Sequence, residues 1–142
     1  MPVPVVVVDP GHNRIANPAL EPIGPGASVR KIMDGGGARG VVSGVPEADV
    51  TLAVALRLRV ILRRAGVSVV MTRTTTEGVS MGNVARARIA NRARAQLFVR
   101  VHADGADAAS VHGDAHALPG ASARMDGRHL RGQQARRGAA PA

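Results

Sequence analysis

Apolar and polar positions fall into distinct blocks along this chain, and the first block is the densest. Val3–Val8 is short, β-branched and stopped by Pro10-Gly11, which predicts a strand buried on both faces. Residues 13–46 then lose all periodicity. Pro18, Pro22, Pro25, the run Gly35-Gly36-Gly37 and Pro46 predict one long loop, of the kind that in a small domain tends to be functional or mobile.

Period returns in "PEADVTLAVALRLRVILRRAGV". Val50, Val54, Leu58, Ile61 and Leu62 recur at helical spacing, Arg57, Arg63 and Arg64 fall away from them, Pro46 suits the start and Gly66 the stop. Val67–Arg73 reads as a second strand and residues 74–82 as a polar turn. Asn83–Gln96 reads as a second helix, with Val84, Ala87, Ala90 and either Ile89 or Ala95 inward and its arginines outward. Leu97–Asp104 reads as a third strand. Strand, loop, helix, strand, helix, strand predicts an α/β domain, a mostly parallel sheet flanked by helices. After Gly113 the aliphatic pattern ends. Residues 1–113 are therefore the expected folded part, and 114–142 an Arg/Ala/Gly-rich disordered or aberrant tail.

Composition narrows the chemistry. A chain of 142 residues suits one domain, and with one Phe and no Trp or Tyr its core must be aliphatic. The absence of cysteine excludes a disulfide scaffold, a thiolate zinc site and a cysteine nucleophile. The net charge of +9 comes from arginine, Lys31 being the single lysine. Beside so much Ala, Gly and Val, this matches coding bias in a GC-rich genome and reads first as a solvated basic surface. Attraction to an anionic polymer, either nucleic acid or an acidic wall matrix, is the functional alternative. No nucleic-acid partner is expected, because no stacking aromatics accompany the arginines. No apolar run reaches the length of a membrane span. The start "MPVPVVVV" shows no signal peptide, which leaves a cytoplasmic protein or one whose leader lies upstream.

Ligands of open parallel sheets gather beyond the carboxyl ends of the strands. His12 lies just past the first strand, His102 at the end of the third, and Glu47 in the first turn of the helix after the long loop. Two imidazoles and one carboxylate are a recurrent catalytic zinc set that leaves a fourth position open for water. Each residue also has a plain structural role open to it: His12 in the turn, Glu47 against the helix dipole, His102 at a strand end.

The segments "VVDPGH", "PEADVTLAVALRLRVILRRAGVSVVMTR", "RARIAN" and "LFVRVHADG" occur in this order over most of residues 5–113. They resemble the zinc-dependent N-acetylmuramoyl-L-alanine amidases of the cell-wall hydrolase type. The resemblance implies an amidase-like α/β fold and one Zn2+ held by His12, Glu47 and His102. It also implies hydrolysis of the amide between N-acetylmuramic acid and L-alanine of peptidoglycan, outside the cytoplasmic membrane, in the wall or periplasm. Asp9 either orients a ligand by accepting an imidazole N–H or simply forms the turn before Pro10. Asp104 either supports His102 or caps the turn at Gly105. Arg86 and Asn91 are expected to fix the second helix rather than touch substrate.

The chain departs from that family in two ways. The late glutamate that serves the family as general base has no counterpart, since no Glu follows Glu77, so the catalytic residue is unknown. The sheet is expected to be incomplete at its carboxyl-terminal end, and the stretch after Gly113 reads as truncated or frameshifted. Arg100 stands where the family has a small residue, which calls for an ion pair or a wet rim. An inactive or slow amidase follows from these departures, with a non-catalytic remnant that binds peptidoglycan or an anionic wall polymer as the alternative. Oligomeric state is not legible.

Overall fold

The computed structural model describes residues 2–103. The expected tail at 114–142, and Asp104 with it, lie outside the described residues. The elements are β1 (Val5–Pro10), β2 (Asn17–Pro22), β3 (Arg30–Asp34), α1 (Glu47–Arg64), β4 (Ser68–Met71), α2 (Asn83–Arg92) and β5 (Leu97–Val101).

The valine block forms the middle of a three-stranded, all-parallel sheet of order β4-β1-β5. A central strand is buried on both faces, which is why it carries no alternation; Val7 and Val8 are fully buried although they point to opposite sides. Val6 pairs with Val69 on one side and Leu97 on the other, so β1 and β5 run side by side with their carboxyl ends level. One helix precedes β4 and one precedes β5 in chain order, as the alternation predicts.

α1 covers the face that bears Val6 and Val8, with Ala55 and Val69 completing the core and Leu58, Leu62 and Met71 packed around it. Its inward line differs from the expected one. Ala48, Thr51 and Ala55 are buried, whereas Val50, Val54 and Ile61 are 40, 44 and 63 % exposed. The physical reason is closeness: small side chains on the first half of the helix let it lie near β1, and a valine row there would hold it off. The stop is as expected. Gly66 takes φ 78°, a left-handed conformation that costs glycine little, and Arg63 and Arg64 sit in the last turn where the helix dipole favours cations.

α2 is also turned from its expected setting. Its buried residue is Arg86, only 1 % exposed, while Ala87 faces water. An arginine faces the sheet because Asp9 lies beneath it, fully buried on the face opposite α1.

The region read as one loop contains a hairpin. β2 and β3 pair antiparallel, with a register shift between Asn17 and Leu20. Pro18 and Pro22 obscured it, yet proline is tolerated where a strand has an open edge. Little of the hairpin is buried: Leu20 and Ile32 face each other across it and are both about half exposed. Only Glu21 and Asp34 are buried among its strand residues. Glu21 docks the hairpin onto α2, accepting hydrogen bonds from the Asn83 and Val84 backbone N–H groups (2.8 and 3.0 Å) at the helix N-terminus, while Lys31 Nζ lies 3.0 Å from its Oε1.

Candidate metal centre

Three chain segments bring one donor each to the carboxyl end of the sheet. β1 ends at Pro10, and the Gly11 N–H donates to Val101 O (2.8 Å), which ties the turn to the neighbouring strand β5. His12 follows in a left-handed conformation, φ 56°. Glu47 is the first residue of α1, and His102 is the first residue after β5. The two imidazoles lie edge to face, ring centroids 4.9 Å apart. One ligand atom from each of His12, Glu47 and His102 can be chosen so that all lie within 4.8 Å of one another.

Two glycines make this approach possible. A Cβ on Gly11 would stand 2.6 Å from Cε1 of His102, and a Cβ on Gly37 would stand 2.9 Å from the His12 ring and 3.0 Å from Glu47 Oε2. Any side chain at either position would push a donor out of the cluster.

Glu47 is buried, and each oxygen is held. Oε1 accepts the Ala103 N–H (2.9 Å) and lies 2.9 Å from His102 Nδ1; Oε2 accepts the Ala38 N–H (2.7 Å). Burial pushes this carboxyl up, but the hydrogen bonds from Ala103, Ala38 and His102, with the nearby His12 ring, outweigh it and hold it below the usual glutamate range. On its other side Glu47 Oε2 stands 3.6 Å from His12 Nε2, beyond hydrogen-bonding distance. Two imidazoles and a carboxylate, brought by three chain segments, are donors of the kind zinc takes, one short of its usual four. Beside the cluster an open cleft of about 400 Å³ runs between Asn13, Arg14, Gly37, Arg39 and Asp49, with the Arg14–Asp49 ion pair (3.0 Å) on its wall.

The sequence-derived triad therefore comes together. Asp9 does not join it. Its carboxylate accepts from Thr72 Oγ1, pairs with Arg86, and has Arg100 Nε 2.8 Å from Oδ2, close enough for an ion pair but off hydrogen-bond geometry. Asp9 points to the α2 side of β1, whereas His12 lies beyond the strand end, so the expected imidazole contact is replaced by a buried ion pair. Arg100 is half-wet at the rim and also donates to Asn83 Oδ1 (2.7 Å), which accounts for its tolerance in β5. The carboxylate that does meet an imidazole is Asp34, 2.7 Å from His12 Nδ1. Its only sequence signal is an aspartate directly before a Gly-Gly-Gly run, a strand-end pattern inside the supposed loop.

Arg73 carries no local signal of its role. It is buried just past β4 and donates to the Pro10, Gly11, Ala48 and Thr75 carbonyls and to Thr51 Oγ1. Gly11 precedes His12 and Ala48 follows Glu47, so one guanidinium spans the backbones of two candidate donors.

The left-handed setting of His12 gives a stability test. Alanine there keeps the steric cost of positive φ and glycine does not, so metal-free His12→Gly is expected to be more stable than His12→Ala by up to about 1 kcal/mol, net of glycine's extra chain entropy. Thermal unfolding of the two variants side by side reads this. An alanine variant as stable as the glycine one would mean an ordinary backbone at this turn.

A family model described as N-acetylmuramoyl-L-alanine amidase matches residues 6–129. Among solved structures, the chain is similar to the N-acetylmuramyl-L-alanine amidase Ami1 from Mycobacterium smegmatis, at 31% identity and a TM-score of 0.66 over 72% of this chain and 48% of that one. Ami1 from Mycobacterium abscessus gives the same identity and score over 72% and 49%. The N-acetylmuramoyl-L-alanine amidase AmiC2 of Nostoc punctiforme gives 33% identity and 0.52 over 73% and 46%. The chain thus spans just under half the length of these relatives. No curated protein matches it.

Proposed function

The chain belongs to the N-acetylmuramoyl-L-alanine amidase family, and from that premise we propose that it is a zinc-dependent hydrolase of the amide between N-acetylmuramic acid and L-alanine in peptidoglycan. In this reading residues 1–113 are the amidase part and the protein works in the cell wall or periplasm. No described helix is long and apolar enough to cross a membrane. The observation that carries the reading is the convergence of His12, Glu47 and His102 at the level ends of adjacent parallel strands.

Zinc at such a site polarises a carbonyl and brings bound water within reach of ionisation near neutral pH. The chain's own residues supply the rest. Glu47, kept ionised by two backbone N–H groups, contributes the negative charge that retains a cation. The 400 Å³ cleft along Gly37 and Arg39 offers the substrate a groove beside the donors. Proton transfer to the leaving nitrogen needs a further carboxylate or similar group. Among the described residues, Asp34, Asp9 and Glu21 are already committed to partners, Asp49 is paired with Arg14, and exposed Glu77 is not one of the clustered donors. Without a general base, hydrolysis runs about 10²–10⁴-fold slower. That commitment favours one second reading: metal-dependent binding of peptidoglycan with little turnover.

Zinc stoichiometry with a digestion assay separates these. The wild-type chain is expected to take one zinc, and at a free concentration about 100 times the Kd to gain about 2.7 kcal/mol of stability. His12→Ala, Glu47→Ala and His102→Ala are expected to lose both. Release of peptides with a free L-alanine amino group marks the amidase; zinc-dependent retention on insoluble peptidoglycan without such peptides marks the second reading. A wild-type chain that takes no zinc, or alanine variants that keep it, would remove the site.

A further inference from the structure

Asp34 is held on three sides. Its Oδ1 lies 2.7 Å from His12 Nδ1 and accepts the Gly36 N–H, and its Oδ2 accepts from Ser80 Oγ. The hydrogen of Ser80 is assigned by its other neighbour. Arg86 Nη2, which can only donate, lies 3.3 Å from Ser80 Oγ, so the hydroxyl accepts from Arg86 and gives its own hydrogen to Asp34. With the Gly36 N–H on Oδ1 and the Ser80 hydroxyl on Oδ2, both Asp34 oxygens accept, so toward His12 the carboxylate offers only acceptor lone pairs.

An acceptor-only partner requires the hydrogen on His12 Nδ1. In the neutral ring Nε2 is then a bare lone pair, and it faces Glu47 Oε2 at 3.6 Å. Two acceptors aimed at one another repel unless a cation lies between them. We propose that Asp34 is a positioning residue of the metal centre: it locks His12 in the Nδ1–H tautomer so that the Nε2 lone pair is presented to the ion beside Glu47.

The hairpin gains a purpose from this. Asn17 pairs with Asp34 across β2 and β3, and Asn17 Nδ2 donates to Ser80 O (2.9 Å), so the hairpin and the segment before α2 grip the carboxylate together. The segment that looks least structured in the sequence delivers the group that orients a ligand.

The test has a readout that needs no metal; only its zinc arm rests on the function proposed above. In the full 142-residue chain, stripped of metal, labelled with 15N at histidine and held at about pH 8 where a free imidazole is neutral, long-range 1H–15N correlations distinguish the tautomers of His12. Wild type is expected to show Nδ1–H alone. Asp34→Ala is expected to shift His12 toward Nε2–H and to weaken zinc binding by about 10–100-fold in competition with a chromophoric chelator. Asp34→Asn keeps an acceptor oxygen but not the charge. It is expected to retain Nδ1–H and to lose less zinc affinity than the alanine variant. A role in folding alone would lower the melting temperature and move neither readout.

Wild-type His12 in the Nε2–H form overturns the inference whatever zinc does. So does a folded Asp34→Ala that keeps Nδ1–H, or one that moves to Nε2–H and still binds zinc as wild type does. A wild-type chain with His12 in the Nδ1–H form that takes no zinc leaves the positioning contact standing and defeats the metal reading instead.

Discussion

Replacing Arg86 by leucine is expected to cost about 3–5 kcal/mol of stability, a large share of the about 5–15 kcal/mol margin of a small domain. Asp9 sits on the central strand with no exposure to water, and Arg86 covers it. The guanidinium also donates to Met81 O and Pro10 O, both at 3.1 Å. Without Arg86 the carboxylate retains only the Thr72 hydroxyl and Arg100, which is itself a third exposed and screened by water. Most of the loss is thus the penalty of a poorly compensated buried charge rather than the net worth of the ion pair. The consequence is specific. A second change, Asp9→Asn, keeps an acceptor for Thr72 and removes the charge, so the double variant is expected to be more stable than Arg86→Leu alone. Urea unfolding of the wild type, both single variants and the double variant completes the cycle. An Arg86→Leu protein within about 1 kcal/mol of wild type, or a double variant no better than it, would mean that Asp9 finds water or another partner.

Arg73→Lys is expected to damage fold and metal affinity together. Burial, reinforced by nearby Arg86, lowers the Arg73 guanidinium to about 10, so it is still charged at neutral pH. Its Nη2 reaches Gly11 O and Ala48 O at 2.8 Å each while Nε reaches Pro10 O at 3.1 Å. Lysine keeps the charge but presents a point, not a planar fork, and cannot span these carbonyls at once. The abandoned carbonyls cost about 1–3 kcal/mol for each one left buried and unpaired. The chain on which His12 and Glu47 are mounted then loses its brace, so zinc affinity is expected to fall about tenfold or more, the scale seen when groups that orient ligands are removed. Unfolding measured with and without zinc separates the two effects. A lysine variant with wild-type zinc affinity would show that the ligands hold their places without the brace.

Much of the fold can be read in the sequence because its signals are local. A valine run stopped by Pro10-Gly11 must be a strand with an end, and an aliphatic period from Glu47 to Arg64 must be a helix. The order of these units makes adjacent parallel strands the natural outcome, and the meeting of His12, Glu47 and His102 follows from their places at strand and helix ends. The β2–β3 hairpin was not legible, because it buries Glu21 and Asp34 and leaves Leu20 and Ile32 in water, the reverse of the pattern that marks a strand.

By itself, then, the sequence determined the elements of the sheet, its helices and the three residues that meet at its rim. Each of those follows from neighbours within a few positions, or from a residue's place at the end of an element. Tertiary structure alone decided which face of α1 turns inward, that Arg86 enters the interior, and that Asp34 rather than Asp9 meets an imidazole. Those outcomes depend on partners far apart in the chain: Arg86 finds Asp9 across 77 positions and Ser80 finds Asp34 across 46. Burying a charge is unfavourable until its partner arrives, and no local period records where that partner will be.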